Sequence, residues 1–306
     1  MAYIEWDYTV ITSMVETQGW TLPERGTKEW DKVNDELGES MRGVGIVFEK
    51  YCNLAVRALD ELLDYQSYPI KAAERGTLSR RPLGIGIINL AYFLAKRGLK
   101  YDESAFKIID EYAEAWSYYL IKASANLAIE KGKISANNDT KYARGELPND
   151  TYKRAIDNLI GHTERLPWKK LRTQLKNTGI RNSTLMALMP AETSAQISNS
   201  TNGIEPPRAL VSYKQSKDGV LAQVVPGYHH LKNKNDLLWD QEYPDGYLKI
   251  CAILQKYIDQ GISVNTSYNP ENFEDNKIPM SVMTVSYTHL RAHETKANLV
   301  CRLLLE

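Results

Sequence analysis

The sequence predicts a mixed helix-and-strand fold, α/β or α+β, and three observations carry that reading. Apolar residues keep helical spacing over long stretches: Phe106, Ile109, Tyr112, Trp116, Tyr119, Leu120, Ala123 and Leu127 hold it for about six turns. Shorter apolar runs end at breakers in the manner of strands, as residues 183–189 do at Pro190. Helix-like and strand-like segments mix along the chain instead of falling into separate blocks.

Residues 1–47 carry Trp6, Trp20 and Trp30 among the breakers Pro23, Gly26, Gly38, Gly43 and Gly45, and read as irregular or weakly helical. From residue 48, Cys52, Ala55, Val56, Leu59, Leu62 and Leu63 form one apolar helix face, with Pro69 beyond its end. Leu90, Phe93 and Leu94 suit a helix that Gly98 would cap. Gly132 closes the long helix, and a polar, turn-rich stretch over 134–153 follows. Another helix is expected around 168–175. The runs 209–213 and 220–225 flank residues 214–219, where Asp218-Gly219 predicts a β-hairpin. Leu248, Cys251, Leu254, Tyr257 and Ile258 mark a helix expected to stop at Gly261, and 262–268 alternates like a strand.

Composition narrows the function classes. Lys plus Arg and Asp plus Glu are 38 each, so zero net charge gives no support for nucleic-acid binding, which needs a basic face. No apolar run reaches the roughly 18 residues of a membrane span, and the N-terminus does not read as a signal peptide, so no membrane partner and a cytoplasmic location are expected. Cys52, Cys251 and Cys301 are widely spaced and odd in number. The expectation for each is a reduced, buried, small apolar residue.

One segment stands out as a candidate site: Pro190, Ala191, Glu192, Thr193 and Ser194 lie between a β-type run and a plausible helix start. Free backbone N–H groups there, with the Thr193 and Ser194 hydroxyls, could cradle a phosphate. The same residue types also serve as plain helix caps, which the spacing alone favours. Gly84 and Gly86 in LGIGIIN suggest a dinucleotide loop, but Asn89 stands where the third glycine belongs and no strand–turn–helix unit with a downstream ribose acid is evident; backbone packing is the better reading. His162, His229 and His230 show no metal spacing with carboxylates.

Longer segments carry a resemblance. RALDELLDYQSYPI, RRPLGIGIINLAYFLAKRG, RNSTLMALMPAETSAQISNSTNGIEPPR and KIPM (277–280) closely resemble the large, catalytic subunit of class Ia ribonucleoside-diphosphate reductases, in the same order. The resemblance spans 48–283 and implies the C-terminal half, incomplete, of that family's ten-stranded α/β barrel. It implies reduction of ribonucleoside diphosphates to 2′-deoxyribonucleoside diphosphates by a radical mechanism. Pro190, Ala191, Glu192, Thr193 and Ser194 would then hold the substrate phosphates, with Ala191 replacing a serine common in the family. It further implies a radical-generating small subunit bearing the metal and tyrosyl radical, reduction by thioredoxin or glutaredoxin, a homodimer of large subunits, and ATP or dNTP effectors bound by regions outside this chain.

The resemblance is also marked by what does not appear. No Asn-x-Cys-x-Glu finger motif occurs, so no catalytic residue is assigned to this chain, which is expected to be inactive alone. Residues 284–306 contain VSYTHLRAHET, which resembles a translated sequencing-adapter tail, and are set apart as non-native. The alternatives are a glycyl-radical barrel reductase and a non-enzymatic nucleotide- or anion-binding fragment.

Overall fold

The computed structural model describes residues 2–5, 44–216, 219–241 and 243–267, with side chains from residue 48 onward, Glu192 and Ser216 excepted. The hydrophobic core forms on a short parallel sheet. Strand β1 (Ala2–Glu5) pairs in parallel with β2 (Ile85–Ile88), with Ala2 opposite Ile85 and Glu5 opposite Ile88. On the other side of β2, Leu185 and Met186 run parallel to it: the Ile85 amide donates to the Leu185 carbonyl at 2.8 Å, and the Ala187 amide to the Ile85 carbonyl at 3.1 Å. Leu188 then pairs in parallel with Ile262. Every residue of β2 is buried, as expected for a parallel strand covered on both faces.

Helices cover this sheet. The long α1 (Val44–Tyr65) buries Cys52 and Val56 against the core. It is followed by α2 (Lys71–Arg80), none of whose residues is buried. Asn89 leads directly from β2 into α3 (Leu90–Arg97), which ends at Gly98 in the left-handed region. The central helix is α4 (Glu103–Lys131), capped by Asp102 through the Ser104 amide. Trp116 and Ile109 on it are wholly buried. Three single-turn 3₁₀ segments between Asn137 and Asp150 fill the polar stretch. Then come α5 (Asp157–Ile160), α6 (Trp168–Thr178), α7 (Glu192–Ile197), the hairpin β3 (Val211–Ser216) with β4 (Gly219–Val224), α8 (Tyr228–Leu231) and α9 (Asp245–Gln255). Among the described residues, no helix is long and apolar enough to cross a membrane.

Several sequence expectations need correction. Residues 2–5 form a strand, although 1–47 reads as irregular; residues 6–43 lie outside the described residues. A strand–helix unit does exist at 85–97, but Gly86 sits inside the strand rather than in a phosphate-binding turn. The hairpin strands lie closer to the turn than predicted and leave only Lys217 and Asp218, which are not described, between them. Helix α9 ends at Gln255 rather than at Gly261, because Tyr257 and Ile258 stay buried in a turn that continues the apolar spacing after the helix stops. Of the 262–268 alternation, Ile262 alone makes a described bridge.

Two buried charged clusters join the layers. Arg81, in the left-handed region at φ 46°, donates to Asp60 at 2.6 Å and Asp64 at 2.7 Å, and Asn182 donates to Asp60 at 3.0 Å. On α4, Asp110 and Glu114 receive Arg165 at 2.7 and 2.8 Å, and Lys256 lies 3.2 Å from Asp110. Each cation is matched by carboxylates and hydrogen bonds, the condition for tolerating charge in a low-dielectric interior.

Asp259 anchors the sheet in a third way. The residue is half-buried, but its carboxyl group turns inward and accepts from the Leu185 amide (2.8 Å), the Met186 amide (2.9 Å) and the Tyr142 hydroxyl (2.7 Å). Burial pushes its pKa up to about 6, against the pull of those three donors. A raised carboxyl pKa means that the folded state binds the proton more tightly than the unfolded state. Its contribution to stability therefore falls as pH rises from the ordinary carboxyl range through 6. Between pH 7 and pH 5 the protein should gain about 1 kcal/mol relative to Asp259→Asn. Urea unfolding at the two pH values checks this; an unchanged difference would contradict it.

Candidate functional site

Three chain segments leave the C-terminal ends of the parallel strands and meet. They follow β2 (Asn89), residues 184–188 (the 189–194 loop) and Ile262 (263–267). Such ends are where parallel sheets place ligands, because the strands finish there and the following loops diverge. Residues 200–205 run between these loops and bind them together. The Asn89 amide donates to the Thr201 carbonyl at 3.1 Å, the Thr201 amide to Asn89 Oδ1 at 2.9 Å, and the Leu90 amide to the Gly203 carbonyl at 3.3 Å. Asn89 has φ 67°, a left-handed conformation that asparagine tolerates. Gly203 has φ 49°, and a Cβ there would lie 3.5 Å from the Met189 carbonyl oxygen and 3.9 Å from that of Ile87. A glycine at this point meets the backbone demand while the segment passes between two strand ends.

The 190–194 loop sits on this platform. Pro190 is exposed and Ala191 is buried; Thr193 and Ser194 are both exposed. Ala191 is the N-cap of α7, and no side chain caps that end. Thr193 and Ser194 thus lie in the first turn, which overturns the plain-capping reading for them. The first helical bond runs from the Ala195 amide to the Ala191 carbonyl at 2.7 Å. The amides of residues 192–194 therefore have no partner within the helix. Six residues give little helix dipole, so any attraction for an anion rests on these amides and the two hydroxyls. The Glu192 side chain lies outside the described residues.

A small cavity, about 10 Å³, lies over the strand ends between Ile87, Leu188, Pro190, Asn202, Gly203 and Glu205. A larger groove of about 250 Å³ lies between residues 200–209 and the hairpin and includes Arg208, Tyr213 and Lys214. The hairpin leaves Tyr213, Val220 and Leu221 more than half exposed. The strand-end cavity, though smaller, is the one bordered by Pro190 of the candidate loop.

Neither described cysteine borders either cavity. Cys52 is wholly buried, and burial raises its thiol well above the ordinary range. Cys251, in α9, is also wholly buried and is pushed up to about 12 by burial. Both are poor thiolates, in keeping with the small apolar role expected of them. Cys301, His289 and His293 lie outside the described residues. His162 hydrogen-bonds the Tyr152 hydroxyl at 3.0 Å, His229 and His230 lie in α8, and none of the three borders the strand-end cavity. Sequence reasoning missed Asn89, Asn202, Gly203 and Glu205, although NSTNGIEPPR contains three of them; Asn-Gly was the available signal.

Comparison with known proteins decides the family. The family described as "Ribonucleotide reductase, barrel domain" matches residues 44–245, well over half of the chain. The chain belongs to the ribonucleotide reductase barrel-domain family. It is 52% identical over 269 residues to the ribonucleoside-diphosphate reductase subunit alpha of Haemophilus influenzae, covering 84% of this chain and 36% of that protein. It is 55% identical over 219 residues to the ribonucleoside-diphosphate reductase 1 subunit alpha of Salmonella typhimurium, covering 71% and 29%. The subunit alpha of Enterobacteria phage T4 is 47% identical over 230 residues, covering 74% and 30%. The chain thus spans about a third of the length of these curated relatives. The barrel-domain family accounts for the parallel strand segments with interleaved helices and fixes the fold class as α/β.

Proposed function

We propose that this chain is part of the alpha subunit of a ribonucleoside-diphosphate reductase and contributes the substrate-phosphate loop, Pro190, Ala191, Glu192, Thr193 and Ser194. The observation that carries the reading is the placement of that loop. It leaves the C-terminal end of a parallel strand segment, presents the 192–194 amides without helical partners, and exposes the Thr193 and Ser194 hydroxyls. Amides and hydroxyls donate to phosphate oxygens without needing a cation. The buried Ala191 holds the loop while Pro190, Thr193 and Ser194 are exposed.

Reduction at the 2′ position needs a cysteine to abstract the 3′ hydrogen and a dithiol to supply electrons. The family's Asn-x-Cys-x-Glu motif does not occur in these 306 residues, and Cys52 and Cys251 are sealed in the core. The whole enzyme's partners would be a radical-generating small subunit, which carries the metal and tyrosyl radical, together with thioredoxin or glutaredoxin, a second large subunit, and ATP or dNTP effectors. The chain's own part is to position substrate. Equilibrium dialysis should show cytidine diphosphate bound more tightly than cytidine. Incubation with small subunit and dithiol should yield no deoxycytidine diphosphate. Equal affinity for the two ligands would overturn the phosphate reading, and turnover would overturn the division of labour.

A further inference from the structure

We propose that Asn202 and Glu205 are positioning residues for the substrate diphosphate, acting through the backbone amide of Ala191. The inference rests on the reading of residues 190–194 as the phosphate loop. Ala191 is 4% exposed and stands at φ −120°, ψ 33°, the bend that aims the amides of 192–194. A buried amide needs an acceptor. The Ala191 N–H finds one in Asn202 Oδ1 at 2.7 Å.

That bond requires the Asn202 amide to be turned one way only, and Glu205 fixes the turn. Asn202 Nδ2 donates to Glu205 Oε2 at 3.3 Å, and Asn265 Nδ2 donates to Glu205 Oε1 at 2.7 Å. A carboxylate accepts and never donates when ionised. A flipped Asn202 would set carbonyl against carboxylate and NH₂ against the Ala191 N–H, losing both bonds. The backbone reinforces the pairing: the Glu205 amide donates to the Asn202 carbonyl at 3.2 Å, which closes the turn between them. Asn265 follows Ile262, so the chain of bonds runs from one strand end, through Glu205 and Asn202, to the loop at the next. Asn202, Glu205 and Pro190 all border the strand-end cavity. The Glu205 carboxylate is meanwhile occupied by two amide donors, Asn202 and Asn265.

The test uses the full chain, titrated calorimetrically with cytidine diphosphate and with cytidine. Asn202→Ala should weaken diphosphate binding about tenfold and leave cytidine binding unchanged, since one hydrogen bond that orders the loop is lost. Glu205→Ala should act in the same direction. Glu205→Gln should rescue, because the glutamine Oε1 can still accept from Asn202 while the exposed Asn265 turns to water. If Asn202→Ala does not fold, the Glu205 pair carries the test with Asn202 in place. Wild-type diphosphate affinity in Asn202→Ala and Glu205→Ala, or an equal loss of cytidine binding, would overturn the proposal. These variants indifferent, with Thr193→Ala/Ser194→Ala still impaired, would sink the positioning role alone. No preference for diphosphate over cytidine in the wild type would remove the phosphate-loop reading and this proposal together.

Discussion

Replacing Glu114 with alanine is expected to lower the unfolding free energy by about 3–5 kcal/mol, the usual cost of breaking a buried ion pair from one side. Glu114 is wholly buried in the middle of α4. It accepts from the Arg165 amide at 2.7 Å, the Leu166 amide at 3.2 Å, the Trp168 indole nitrogen at 2.9 Å and the Arg165 guanidinium at 2.8 Å. Four donors converge on one carboxylate, and its removal leaves a buried indole N–H and two backbone amides without that acceptor. Desolvated donors of this kind cost about 1–3 kcal/mol each when left unmade, although relaxation and water entry recover part of it. Arg165 keeps Asp110 as a partner, which bounds the loss from its side. A domain of ordinary stability has about 5–15 kcal/mol in total, so the change is a large fraction of it. Glu114→Gln should cost less, because one oxygen can still accept. Urea unfolding of the three proteins checks the order. A loss below about 1 kcal/mol for Glu114→Ala would show that the cluster is more hydrated than its burial implies.

The parts of the fold that were legible in the sequence are those with a long internal period. Helix α4 repeats its apolar positions over enough turns for Phe106, Ile109 and Trp116 to mark one buried face, and Gly98 and Gly132 mark the ends of α3 and α4. Strand β2 was not legible. Ile85, Ile87 and Ile88 run into Leu90 with only Asn89 between them, and a four-residue apolar run looks the same in a strand or a helix. Helix α2 was missed for the opposite reason: it buries no residue, so KAAERGTLSR carries no apolar period. At the candidate site, Pro190 and the hydroxyls of Thr193 and Ser194 are singled out by local order alone. Asn202 and Glu205 could not, because their roles depend on the fold bringing Ala191 and Asn265 to them. Capping looked the simpler role for Thr193 and Ser194 because cap preference is a statement about residue type. Which residue occupies the cap is set by where Asn202 holds the backbone.

On the proposed function, the 190–194 loop should account for most of a preference for cytidine diphosphate over cytidine. Thr193→Ala with Ser194→Ala removes two exposed hydroxyl donors and disturbs no described side-chain hydrogen bond, so the fold should be unaffected. A hydrogen bond to a charged partner contributes about 1.5–3 kcal/mol, so losing two should weaken diphosphate binding by roughly a hundredfold or more, while the remaining amides keep some affinity. The most direct measurement is a calorimetric titration of the wild-type chain and this double variant with cytidine diphosphate at matched salt. The account predicts a large rise in Kd for the variant with an unchanged melting temperature. Equal Kd values for the two proteins would contradict it and leave Thr193 and Ser194 as ordinary first-turn residues of α7.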